Sequence, residues 1–157
     1  RVNILQPGTG VGGHCIAVDP WFIVHEGGDD AKMIRSAREI NTRKTLWAAG
    51  KVVEKAEAFL AENGRAPLVA CMGLAFKPNI DDLRESPALD LYTRLVESGY
   101  PLLAVEPNLE EHPSIELTDY TTAAEQADIV VYLVGHREFK GLKTKGFVLD
   151  FCGVTQQ

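Results

Sequence analysis

The chain has 157 residues, 45% of them hydrophobic, with a formal net charge of −6 and a pI near 5.2. That length and apolar content support one ordinary domain, or one domain with an appended element, around a real core. The acidic balance, without any basic block, argues against nucleic acid as a partner, and no apolar run approaches the ~20 residues of a membrane span.

Three cysteines, Cys15, Cys71 and Cys152, stand without any CxxC spacing. The odd number and the spacing argue against a disulfide scaffold and against a metal site. A reduced, cytoplasmic setting fits this cysteine usage.

Residues 1–7 read as an extended lead-in to a loop, Gly8-Thr9-Gly10-Val11-Gly12-Gly13-His14-Cys15-Ile16-Ala17-Val18-Asp19-Pro20. Four glycines in six positions allow backbone to lie close to a ligand and to adopt positive φ. Asp19-Pro20 reads as an N-cap followed by proline at the first helical position. Trp21-Phe22-Ile23-Val24 would then form the apolar side of a short helix ending before Gly27-Gly28.

From Ala31 to Asn63 there is no proline and one glycine, Gly50. Apolar residues recur at a helical period, which predicts one helix over 30–63, stopped by Asn63-Gly64 and roughly 50 Å long. Such a helix with a broad apolar stripe joins domains, packs against another subunit, or both.

After Pro67 the pattern changes to short apolar runs alternating with helical segments. Leu68–Gly73, Leu102–Val105, Ile129–Val134 and Phe147–Asp150 read as strands. Ser86-Pro87 to Ser98 and residues 121–127 read as helices. Near-continuous apolar strands interleaved with helices imply a parallel sheet covered on both faces. The fold class is therefore α/β: a long central helix followed by a Rossmann-like parallel sheet flanked by helices. The division falls at 1–65, the cysteine loop and long helix, and 66–157, the sheet domain.

Two stretches carry the chemistry. In the first, Cys15 reads either as a nucleophile in a glycine cradle or as a small apolar residue, as Cys71 does in mid-strand. Asp19 reads as a helix cap, as a carboxylate able to orient a water, or as both. A dinucleotide fingerprint is disfavoured, because Pro7 precedes the glycines and no helix opens directly after them. The second stretch is Phe76-Lys77-Pro78-Asn79-Ile80-Asp81-Asp82-Leu83-Arg84-Glu85-Ser86-Pro87. It follows the carboxyl end of the first strand, where open α/β sheets bind ligands, and is long for an ordinary connection. Lys77 and Arg84 are cations suited to phosphates.

Taken together, Gly10–Pro20 and Phe76–Pro87 resemble the UDP-glucose/GDP-mannose dehydrogenase family, and the resemblance runs over essentially the whole chain. It implies the family's central dimerisation helix and C-terminal nucleotide-sugar-binding domain. The family's N-terminal NAD-binding domain is not in this sequence, so NAD would be bound mainly outside it and the chain alone is expected to be inactive. The wording His14-Cys15-Ile16-Ala17-Val18-Asp19-Pro20 is similar to the branch acting on UDP-N-acetylhexosamines. That implies UDP-N-acetylmannosamine as the substrate, with UDP-N-acetylglucosamine as the alternative.

The implied reaction is a four-electron oxidation of the sugar C6 alcohol to a carboxylate with two NAD+. Cys15 would capture the aldehyde, pass through a thioester, and release the acid to water assisted by Asp19. The resemblance further places Gly12, Phe76 and Lys77 on the substrate and Arg84 on NAD. Arg1 sits either at a substrate contact across a homodimer built on the 30–63 helix or at a frayed terminus. Asp150-Phe151-Cys152-Gly153 departs from the family pattern, which has a basic residue where Cys152 stands; Lys143 or Lys145 would have to substitute, or the contact is lost. Two other classes of function stay open on the residues: a non-catalytic nucleotide-binding module, and a cysteine hydrolase pairing Cys15 with a histidine.

Overall fold

The computed structural model describes residues 6–156. Helix α1 spans Asp19–Gly27 and a 3-10 turn over Gly28–Ala31 leads into α2, Lys32–Asn63. The sheet domain follows as β1 (Val69–Met72), α3 (Pro87–Glu97), β2 (Leu102–Val105), α4 (Tyr120–Gln126), β3 (Ile129–Tyr132) and β4 (Phe147–Asp150). All four strands are parallel, in the order β2-β1-β3-β4. The long central helix and flanked parallel sheet expected from the sequence are both present.

Strand side chains alternate between two apolar layers. Val69, Cys71, Ile129 and Val131 face α2 and α3, packing with Ala48, Val52, Ala56, Leu91 and Leu95. Ala70, Met72, Val130 and Tyr132 face the other way, against Ala123, Ala127 and Phe139. Burial on both faces is why these strands read as unbroken apolar runs. In α3, Ala88, Leu91 and Leu95 recur on one face and are all buried. Cys71 is enclosed here, and burial pushes its thiol up to about 12, so it acts as a small apolar residue.

Helix α2, 32 residues and about 48 Å long, divides its work. Its second half buries Ala48, Ala49, Val52 and Ala56 on the sheet, small residues that bring the helix close. Its first half leaves Met33, Ile40 and Trp47 exposed at seven-residue spacing. Gly64 closes the helix in the left-handed conformation, its N–H donating to the Leu60 carbonyl. At the amino ends of the strands Asp128 accepts a forked pair of bonds from Arg65, both 2.7 Å, and one from the Leu68 N–H at 2.8 Å.

Two expectations change. Asp19 is not the cap of α1: the cap position is Val18, whose backbone is already α-helical. The preceding turn supplies the bonds a cap would, with the Asp19 N–H donating to the Cys15 carbonyl at 2.8 Å and the Ala17 N–H to Gly13. The apolar side of α1 is also not buried; Trp21, Phe22 and Ile23 are exposed and only Val24 is covered.

Leu91, fully buried between α3 and the sheet, is a sensitive point of this core. Leu91→Ala is expected to destabilise the chain by about 2–5 kcal/mol in urea unfolding, the cost of lost apolar burial plus a cavity.

Candidate functional site

The strand order reverses direction between β1 and β3, which places a crevice at the carboxyl ends of those strands. The Phe76–Pro87 stretch leaves β1 there. It is held by its own bonds: the Phe76 N–H donates to the Asp82 carbonyl at 3.1 Å, and Asn79 and Glu85 take positive φ. Ser86 closes it. Its hydroxyl donates to the Leu74 carbonyl at 2.7 Å and accepts from the Leu89 N–H at 3.3 Å, capping α3.

The glycine loop has no side chains with which to anchor itself, so α2 and α3 hold its backbone. Asn41 of α2 accepts from the Val11 N–H at 2.8 Å and donates to the Val11 carbonyl at 3.0 Å. One helical turn on, the buried Thr45 hydroxyl donates to the Thr9 carbonyl at 3.0 Å. Gly12 then passes so close to the second stretch that a Cβ would overlap the Glu85 carbonyl and come within 2.6 Å of Pro87. At Gly13 a Cβ would stand 2.9 Å from the Phe76 ring. These two glycines are therefore fixed by close approach.

This docking brings most of the expected site residues together. Cys15 is exposed at the end of the docked loop. Asp19 follows one turn later, also exposed. Phe76 is half-buried under Gly13, and the Lys77 ammonium lies 5.5 Å from the Phe76 ring centroid. Arg1 lies outside the described residues.

Arg84 is not a free cation. Its Nε and Nη2 meet both oxygens of Asp82 at 2.6–3.1 Å. That side-chain pairing, with the Arg84 N–H also donating to Asp82, holds the Asp82 carboxyl down at about 2, while Asp82 pushes Arg84 further up. An open cleft of about 640 Å³ lies beside the pair, lined among others by Asp81, Asp82, Arg84 and His112. Cys152 is no cation and no nucleophile: burial, reinforced by the Asp150 carboxylate, pushes its thiol up to about 12. Lys143 and Lys145 do not stand in for a basic residue there. They precede β4, at the end of the strand opposite Asp150, and the Lys145 N–H bonds to Ala124 of α4.

Gly73 is the glycine at the turn after β1, and a Cβ there would already meet Val134 at 2.8 Å and His136 at 3.0 Å. Among the described residues, no group of three or more His, Cys, Asp or Glu side chains is arranged to hold a metal ion.

The sequence reading missed the buried polar residues behind the site. Glu106, at the end of β2, accepts from the Leu74 and Ala75 N–H groups at 2.8 and 2.9 Å and faces His136 Nε2 at 3.1 Å. Burial alone pushes its carboxyl up, but the His136 bond and charge and the two amides outweigh this and leave it below the ordinary range. The signal available was an acidic residue directly after an apolar strand.

A family model described as the UDP-glucose/GDP-mannose dehydrogenase family, UDP binding domain, matches residues 70–157, more than half the chain. The chain belongs to that family. The family's central-domain model matches residues 1–43. A UDP-N-acetyl-D-mannosamine dehydrogenase of Campylobacter jejuni is 48% identical over 160 residues, covering 97% of this chain and 38% of the relative. An NDP-N-acetyl-D-galactosaminuronic acid dehydrogenase of Ralstonia nicotianae is 48% identical over 149 residues, covering 92% and 34%. Among solved structures, a UDP-D-ManNAc dehydrogenase of Pyrococcus horikoshii superposes with a TM-score of 0.79 at 31% identity, covering 98% of this chain and 38% of that one. The chain thus spans about two fifths of the length of these family members.

The Asp82–Arg84 pair gives a pH prediction. A carboxyl held at about 2 when folded, against 3.8 unpaired, adds stability that is present above pH 3.8 and fades as pH falls toward 2. Carboxyl NMR should place the Asp82 midpoint near 2 in the wild type. Arg84→Met should return it toward 3.8, and a midpoint unmoved by the substitution would contradict the pairing.

Proposed function

We propose that this chain is the cysteine-bearing and UDP-binding part of a dehydrogenase that oxidises the C6 alcohol of UDP-N-acetylmannosamine to the carboxylate. The observation that carries this reading is the docking of the exposed Cys15 loop, through Gly12 and Gly13, on the Phe76–Arg84 stretch at the sheet crevice. A nucleophile and a phosphate-compatible loop are thereby presented to one ligand. The relatives at 48% identity that act on N-acetylated sugar nucleotides support the substrate class.

In this reading NAD+ is the hydride acceptor, two for each sugar oxidised, and this chain offers it Arg84. The residues of the chain act on the carbon being oxidised. The Cys15 thiolate adds to the C6 aldehyde, forming a C–S bond while the carbonyl oxygen takes a proton. Once that carbon stands at the thioester level, water held by Asp19 adds to it. The C–S bond then breaks, and the thiolate leaves as the carboxylate forms. Covalent capture retains the aldehyde between the two oxidations. The backbone at Gly12, the Phe76 ring and the Lys77 ammonium hold the sugar nucleotide. The division into a loop-and-helix unit, 1–65, and a UDP-binding unit, 66–157, follows the same logic.

The exposed row Met33, Ile40 and Trp47 fits a homodimer seam along the first half of α2, because a seven-residue spacing keeps one stripe facing a partner helix. Among the described residues no helix is long and apolar enough to cross a membrane.

The experiment is a substrate panel on the full-length dehydrogenase. UDP-N-acetylmannosamine should be oxidised at least tenfold more efficiently than UDP-N-acetylglucosamine, UDP-N-acetylgalactosamine, UDP-glucose or GDP-mannose. Cys15→Ser should lower turnover by at least 10³-fold while leaving UDP affinity within about threefold. Intact turnover in that variant would defeat the covalent route, and UDP binding with no oxidation of any substrate would favour a non-catalytic module. For the seam, Ile40→Glu should convert a dimer into monomer in sedimentation velocity; a wild-type monomer would dismiss it.

A further inference from the structure

The crevice ends in a buried polar cluster that the proposed chemistry does not use. Glu106 follows β2 and His136 follows β3, and both side chains are fully shielded from solvent. One Glu106 oxygen takes the Leu74 N–H, the Ala75 N–H and His136 Nε2; the other takes the Asn108 N–H at 3.1 Å and its side-chain amide at 3.3 Å. His136 Nδ1 accepts from the Asn79 N–H at 3.0 Å, with the Asn108 amide nitrogen at 2.9 Å. A backbone N–H can only donate, so Nδ1 carries the lone pair and the ring proton sits on Nε2, aimed at Glu106. Asn79 Oδ1 in turn accepts from the Arg137 N–H at 2.9 Å.

A buried carboxylate is costly, and an apolar pair would close this end of the sheet at lower cost. What an apolar pair cannot do is bind the N–H groups of residues 74, 75 and 79. Those amides bracket Phe76 and Lys77. Beyond Phe76 lies Gly13, in contact with its ring, and then Cys15 two residues on.

We propose that Glu106 and His136 are positioning residues for the UDP-sugar site: they hold the 74–79 loop at both ends, which sets Phe76 and Lys77 against the ligand and the Gly13–Cys15 turn. The inference rests on the UDP-sugar reading and assigns the machinery behind it. Neither side chain touches the reacting carbon; each acts through the loop.

The test uses UDP as probe and the 157-residue chain. His136→Ala is expected to weaken UDP binding at least tenfold in calorimetry and to speed hydrogen exchange at the Asn79 amide. His136→Asn, whose amide oxygen can take the place of Nδ1, should restore affinity to within about threefold. Leu91→Ala serves as the stability control and should keep its UDP affinity. Equal UDP affinity in wild type and His136→Ala would overturn the proposal, as would an equal loss in Leu91→Ala. Should His136→Ala fail to fold, the wild-type ring decides the point: nitrogen-15 NMR must show the proton on Nε2, and an Nδ1–H tautomer overturns the arrangement. A wild-type chain that does not bind UDP overturns the UDP-sugar reading, and the Asn79 exchange and the tautomer still judge whether the pair holds the loop.

Discussion

Asn41 treats Val11 as a neighbouring strand would, taking its N–H and giving to its carbonyl, and the arrangement of the site depends on that pair of bonds. A glycine-rich segment loses more conformational entropy on ordering than any other and brings no side chains to offset it. The offset must come from outside. It comes from a helix whose Asn41 and Thr45, one turn apart, bind backbone groups of Val11 and Thr9. Only with the loop so held can Gly12 and Gly13 press against Glu85, Pro87 and Phe76. The two stretches that carry the chemistry meet through backbone and ring.

The sheet serves this contact from below. Its parallel order sends the loops after β1, β2 and β3 to one end, and the polar groups there satisfy one another. Gly73 lets Val134 and His136 close over the turn where other nucleotide-binding sheets seat a phosphate.

Much of this was legible in the residues. The strands and α3 showed because burial on both faces, or on one helical stripe, leaves a simple apolar pattern. The third strand read two residues too long, since Leu133 and Val134 are apolar yet turn their N–H groups to the Met72 carbonyl and leave the ladder. Asp19 read as a cap because the helical turn before it contains glycine and offers no periodicity. Asn41 and Thr45 gave no signal, because their partners lie 30 and 36 residues away, a separation no local pattern encodes. His136 gave no signal for the same reason, its partner Glu106 being brought to it by strand register. Cys15 and Arg84 stood out because their loops are unusual in composition, whereas Gly12 and Phe76 were singled out only by the family resemblance.

Helix α2 can also be viewed as a lever. Ala48 to Ala56 are pinned on the sheet, and Asn41 lies seven residues beyond Ala48 toward the other end, about 10 Å away along the axis. A tilt of about three degrees at Ala48 moves Asn41 by roughly 0.5 Å, the ~0.5 Å tolerance of a working catalytic constellation. A displacement of the helix end near Met33 and Ile40 would therefore be felt first at the Val11 backbone that Asn41 holds.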